Sequence, residues 1–216
     1  MDVQAYKLLD QTECYAVADE VAALAPFWVN RGWGWTLGAA TYCDTPEVYP
    51  AYSRYCNLVL QHKFSDLYKR VFAQLETVTG KEVKVLDGTA YPSFHVFTAD
   101  SNGFQGHPHI DEPFKRIKWP SHISSPFSFT MAVALPECGG GMGYWPDATD
   151  EQIEAFIKSG DLPEPKLFDY ELGTLYVHDG MTPHRIESYG DMKHNEARIT
   201  LQGHGVSLWD SVAVYF

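Results

Sequence analysis

The sequence predicts a mainly β fold, a β-sandwich or jelly roll, with N-terminal α-helices packed on one sheet. Three observations lead there. The clearest helical periodicity lies in the first 80 residues. From Glu82 onward apolar residues recur with a period of two, and Gly, Asp and Asn clusters cut that part into many short segments. Helices first and strands after, without repeats or a low-complexity linker, suit two sheets around one core with helical support. A chain of 216 residues can bury a substantial core. Residues 1–216 are therefore expected to form a single domain, with 1–80 as support and 81–216 as the jelly-roll core. A short helical insertion is expected near 149–160.

Each element follows from local chemistry. Asp10-Gln11-Thr12-Glu13 is a helix start with an acid three residues after the cap, and the helix should run to Leu24 and stop near Pro26. Trp33 to Tyr42 reads as a strand followed by an irregular segment. From Tyr52 to Thr79, Leu60, Phe64, Leu67, Tyr68, Val71, Phe72 and Leu75 recur at helical steps, and Gly80 is placed to end the helix. Its apolar stripe should lie on a sheet. Glu82–Leu86 and Tyr91–Thr98 read as strands with an Asp87-Gly88 turn between them, and Asp100-Ser101-Asn102-Gly103 is a turn.

Phe127 to Leu135 alternates bulky residues with Ser128, Thr130, Ala132 and Ala134. One face packs in a core and the small face leaves room for a ligand. Gly139 to Gly143 is a turn, since no Lys-Ser/Thr follows as a phosphate loop requires. Thr149-Asp150-Glu151-Gln152 is a capping box for a helix to Lys158, with Gly160 after it. Leu167–Tyr170, Gly173–His178, His184–Ser188 and Ala197–Gln202 read as strands, with a turn around Tyr189-Gly190-Asp191.

Bulk composition excludes some functions. The net charge is −12, against partners held by their phosphates, so neither nucleic acid nor an acidic membrane is an expected partner. Lys115-Arg116-Ile117-Lys118 is the densest basic stretch, a solvated face or a lid for an anionic group. No segment approaches the ~18 apolar residues that cross a bilayer. Cys14, Cys43, Cys56 and Cys138 have neither finger nor redox spacing, and the polar N-terminus is no secretory signal. The expected location is the cytoplasm, with reduced thiols.

The chemistry centres on Gly106-His107-Pro108-His109-Ile110-Asp111. His109 and Asp111, with one residue between them, leave the same face of extended backbone. His184, in Gly180-Met181-Thr182-Pro183-His184, is a third candidate ligand. Two histidines and one carboxylate with open positions suit a non-haem Fe(II) site. Downstream, Arg198, Thr200, Gln202 and His204 share a strand face, opposite Ile199 and Leu201. His95, His178 and His204 suit hydrogen bonding around the site or packing; His62, His122 and His194 suit solvent. Arg185 should point away from His184. Trp33, Trp35, Tyr42, Tyr91, Phe97 and Trp145 are candidate pocket walls.

The order His109-x-Asp111, His184, Arg198-x-Thr200, with Gly173-Thr174-Leu175-Tyr176-Val177 leading into Gly180 and His184, resembles the 2-oxoglutarate and Fe(II)-dependent dioxygenase superfamily. The likeness spans residues 91–204. It implies a cupin-like double-stranded β-helix in which His109, Asp111 and His184 bind Fe(II). It implies that Arg198 and Thr200 hold the distal carboxylate of 2-oxoglutarate, that O2 is consumed, and that the keto acid leaves as succinate and CO2. An intact Asp111 favours hydroxylation over halogenation, on a small molecule such as an amino acid or natural-product intermediate. Two alternatives stay open: a cupin metalloenzyme using His107, His109, Glu112 and His184 without a keto acid, and a metal-free binding module.

Overall fold

The protein is described from a computed structural model, over residues 3–101, 106–159, 163–187 and 190–216. The expected turn residues Asn102 and Gly103, the helix stop at Gly160, and Ser188 and Tyr189 lie outside them. In chain order the elements are β1 (Gln4–Lys7), α1 (Gln11–Ala23), β2 (Val29–Asn30), β3 (Trp35–Leu37), α2 (Tyr49–Thr79), β4 (Glu82–Lys84) and β5 (Ser93–Thr98). There follow β6 (Ser124–Ala134), β7 (Gly141–Tyr144), α3 (Asp150–Ser159), β8 (Lys166–Asp169), β9 (Thr174–His178), β10 (His184–Glu187), β11 (Ala197–Ser207) and β12 (Ser211–Tyr215).

The strands form a jelly roll of two sheets. The large sheet runs β1-β9-β6-β11-β5-β3-β2, with β12 on the far half of β11 and β4 beside β12. The small sheet runs β10-β7-β8. Pairing is antiparallel except for β12 with β4. Strand β11 is the axis. One edge pairs with β6, and the other pairs first with β5 and then with β12.

Alternation along these strands separates core from site. Ile199 and Leu201 of β11, Phe94 and Val96 of β5, and Met131 and Val133 of β6 join Leu60, Phe64, Leu67, Val71 and Leu75 of α2 in one buried cluster. Helices therefore cover the back of the large sheet. The opposite face carries the polar partners of the same alternation, and it looks toward the small sheet.

Both long helices begin and end as their sequence dictates. Asp10 accepts from the Glu13 N–H at 2.8 Å, and Glu13 accepts from the Asp10 N–H at 2.9 Å, closing the box on α1. Helix α2 starts earlier than the apolar period shows, at Tyr49, because Pro50 sits in its first turn, where a missing N–H is harmless. It bends at Phe64 and stops at Gly80, whose φ of 68° is the left-handed cap. Thr149 and Gln152 exchange hydrogen bonds at 2.8 and 3.3 Å ahead of α3. Among the described residues no helix is long and apolar enough to cross a membrane.

Candidate metal centre

His109 and His184 come from segments far apart in the chain, and their backbones are zipped together. Each N–H donates to the other's carbonyl at 2.9 Å, an isolated antiparallel bridge. Two residues on, the Asp111 N–H donates to Gly180 O at 2.6 Å. Gly180 is required by this approach: a Cβ there would stand 2.8 Å from Ser128 Oγ and 3.1 Å from Asp111 Cβ.

The side chains converge accordingly. His184 Nε2 lies 3.2 Å from Asp111 Oδ2, and His109 Nε2 lies 3.6 Å from Oδ1. One donor atom from each of the three falls within 4.8 Å of the others. Both rings are held from behind. Nδ1 of His109 meets His107 O at 2.7 Å, and Nδ1 of His184 meets Thr182 O at 2.8 Å. A ring nitrogen facing a carbonyl must carry the hydrogen, so both Nε2 lone pairs point at the shared point.

Asp111 is held in the same manner. Ser128 Oγ donates to Oδ2 at 2.5 Å and lies 2.9 Å from His204 Nδ1. Because the hydroxyl has given its hydrogen to the carboxylate, it accepts from His204. Burial pushes the Asp111 carboxyl up. The charges of His184 and His204, the His184 hydrogen bond and His109 oppose it and hold the group well below the ordinary value. Burial pulls His184 down, but Asp111 outweighs it and leaves that imidazole above its ordinary value. Loss of solvent and the nearby His184 hold His109 low.

The triad opens onto a cavity of about 660 Å³ between the sheets. Its floor is polar: His95, Ser128, Thr130, His178, Gln202 and His204 line it from the large sheet. Burial, with Arg198 and His204 next in effect, brings His95 down to about 3, and burial with His184 brings His178 down to about 3. Both are therefore neutral. Tyr42, kept a phenol by burial, hydrogen-bonds His95 Nε2 across the wall.

Arg198 and Thr200 are buried on the cavity side of β11. The Arg198 Nη2 donates to Gly141 O at 3.3 Å, and the rings of Phe97 and Tyr170 flank the guanidinium at 5.5 and 5.6 Å. Gly140 leaves it space, since a Cβ there would come 3.2 Å from Arg198 Nε. Tyr170 lines the cavity; Arg198 and Thr200 stand behind the lining. Thr200 Oγ1 accepts from Gln202 at 3.3 Å.

Other expectations need correction. Arg185 does not turn away: it lines the cavity, with its Nε 2.5 Å from Glu187 and its guanidinium over Trp145. Strand β10 is at the edge of its sheet, so a long side chain can wrap to the rim. Of the candidate walls only Trp33 and Tyr42 line the space. Trp35 packs on Trp28, Tyr91 on Tyr68 and Phe72, Phe97 on Arg198, and Trp145 under Arg185. His107 serves His109 through its carbonyl, and Glu112 is engaged by Lys115. Among the described residues, the cluster of possible metal donors takes Asp111 as its carboxylate. The Ser128–His204 link is the feature sequence reasoning missed, although alternation puts both residues on the ligand face.

No protein-family model matches the sequence, and no curated protein matches it. Solved structures do. An N-substituted L-amino acid dioxygenase from Burkholderia ambifaria, in complex with α-ketoglutarate, aligns over 100% of this chain and 86% of its own, with a TM-score of 0.62 and 15% identity. The non-haem α-ketoglutarate-dependent epimerase SnoN from nogalamycin biosynthesis aligns over 94% and 76%, at 0.55 and 15%. HygX from Streptomyces hygroscopicus, with nickel, 2-oxoglutarate and hygromycin B bound, aligns over 94% and 82%, at 0.53 and 13%. At such identities the likeness is one of fold: this chain has the fold of iron- and 2-oxoglutarate-dependent oxygenases.

Proposed function

We propose that the protein is an Fe(II)- and 2-oxoglutarate-dependent oxygenase that hydroxylates a small molecule, with residues 1–216 acting as one catalytic domain. One observation carries the reading: two imidazoles with locked Nε2 lone pairs and one half-buried carboxylate converge at the wall of a cavity. Two nitrogens and an oxygen, with no thiolate in the group, fit Fe(II). His109, Asp111 and His184 would hold the metal, and Arg198 with Thr200 the distal carboxylate of 2-oxoglutarate. O2 would be the oxidant: bound iron would activate it, with two electrons taken from 2-oxoglutarate as that is decarboxylated to succinate and CO2 and two from the substrate that is hydroxylated.

The chain's own residues have the remaining tasks. The carbonyls of His107 and Thr182 keep both ligand rings in one tautomer and one orientation. Ser128, backed by His204, fixes the orientation of the Asp111 carboxylate, and against burial His184, followed by His204, holds it ionised. Arg198 offers a planar fork that matches a carboxylate with two hydrogen bonds. Tyr170 lies against it at the cavity lining, so the keto acid would meet Arg198 beside that ring. Trp33, Tyr42, Ile110 and Ile186 form a low-polarity wall that limits water around the oxidising centre. The fold neighbours are named for an amino acid derivative and for natural products, which supports a small-molecule substrate here.

An anaerobic titration tests this. A weak visible charge-transfer band is expected when Fe(II) and 2-oxoglutarate are both present, and none with either alone. His184→Ala should abolish it. A well-folded wild-type protein without the band overturns the proposal.

A further inference from the structure

Five acidic or basic side chains other than histidine line the cavity: Asp111, Glu112, Lys115, Arg116 and Arg185. Asp111 belongs to the metal centre. Lys115 is paired with Glu112, and Arg185 with Glu187. Arg116 is the remainder: no carboxylate among the described residues pairs with it. Its Nη1 donates to Thr41 O at 3.0 Å. That bond uses one of the guanidinium's five N–H groups and leaves the rest of the fork for another acceptor.

The anchor itself is fixed. Arg31 reaches Asp44 through two hydrogen bonds of 2.8 and 3.2 Å, and Asp44 also accepts from the Ala40 N–H at 2.7 Å. This nearly buried ion pair braces residues 40–44, so the Thr41 carbonyl holds Arg116 in place before any ligand arrives. The same segment sends Tyr42 into the wall. In a chain of net charge −12, a braced and uncompensated cation at a cavity is a local reversal of the field, which draws in and orients an anion.

We infer that the substrate carries a carboxylate and that Arg116 grips it at the cavity mouth, with the substrate's apolar part against Trp33, Ile110 and Ile186. A single uncompensated cation matches a monoanion better than a doubly charged phosphate, and a planar fork matches a planar acceptor. The inference rests on the oxygenase reading for the identity of this cavity as the substrate site. It makes Arg116 a specificity residue, separate from Arg198, which stands behind the lining at Tyr170.

The test uses protein loaded with Zn(II) and saturating 2-oxoglutarate, probed by saturation-transfer NMR against N-acetyl-L-amino acids and their matched primary amides. Acids should bind about ten- to a hundred-fold more tightly than their amides, the effect of a hydrogen bond to a charged group. Arg116→Gln should level the two series, and Arg116→Lys should restore part of the preference. Lys118→Gln removes the same charge from a residue outside the lining and should keep it, which separates contact from field. Equal binding of acids and amides, no binding by any panel member, or an unchanged preference in Arg116→Gln overturns the inference. The Fe(II)–2-oxoglutarate band, measured on the same proteins, separates the two failures. Band without preference sinks the carboxylate anchor alone; no band in the wild type sinks the oxygenase reading.

Discussion

Ser128 connects two groups that have no contact in sequence. It gives its hydrogen to Asp111 and receives one from His204, 76 residues away. A carboxylate held this way keeps one orientation, and second-layer partners of this kind are worth roughly 10- to 100-fold in metal affinity. Ser128→Ala should weaken Fe(II) binding by about that factor, read by competition with a chelator, while the thermal midpoint moves little. The three metal-binding candidates were legible because their signal is local: alternation sets His109 and Asp111 on one face, and a Gly-x-x-Pro lead-in marks His184. The Ser128–His204 link was not, because it depends on the register between β6 and β11. Arg185 misled for a related reason, since alternation fixes where Cβ points and not where a long side chain ends.

At the scale of elements, α2 and β11 share one job from two sides of the sheet. Leu75 is fully buried in the cluster between them. Leu75→Ala should cost about 2–5 kcal/mol of stability, as truncated buried leucines do. Urea unfolding would measure it, and the metal-to-protein ratio of the folded variant should stay unchanged. Helix α2 was readable from its periodicity, β5 and β6 from alternation, and β9 as a short strand after Gly173. Four strands were not. β7 occupies Gly141–Tyr144, where Gly139 to Gly143 read as a turn, because glycines without side chains show no alternation. β2 is two residues long. β12 is buried at every position, so no polar residue alternates with its apolar ones. β1 is short and mostly exposed. β11 runs five residues past the expected end at Gln202, through Gly203 and Gly205. They are the positions over which the rings of Phe129 and Phe127 lie, with a Cβ meeting those rings at 2.5 and 2.2 Å.

For the whole molecule, the buried neutral histidines set the response to acid. His95 and His178 each fall to about 3 when folded, against about 6.5 in the unfolded chain. Between those values the unfolded state binds more protons, so stability rises with pH across the window. It is fully present above about 6.5 and drains away toward 3, by up to about 1.4 kcal/mol per pH unit for each group. His184, raised by Asp111, works with the opposite sign and higher on the scale, losing its contribution as pH climbs through its folded value. Urea midpoints of the metal-free protein at pH 7, 6, 5 and 4 should fall steadily. His95→Asn should flatten the curve, and an unchanged slope would show that the ring is not held neutral.

The peptide groups of His109 and His184 are tied to each other by the chain's own hydrogen bonds. Gathering the donors is thus completed by chain folding rather than charged to the metal. Under the proposed function, loading and stripping would be exchanges at a standing socket, unlike a zinc finger, which collapses around its ion and melts without it. Under that reading an emptied molecule would wait, intact, for its next ion.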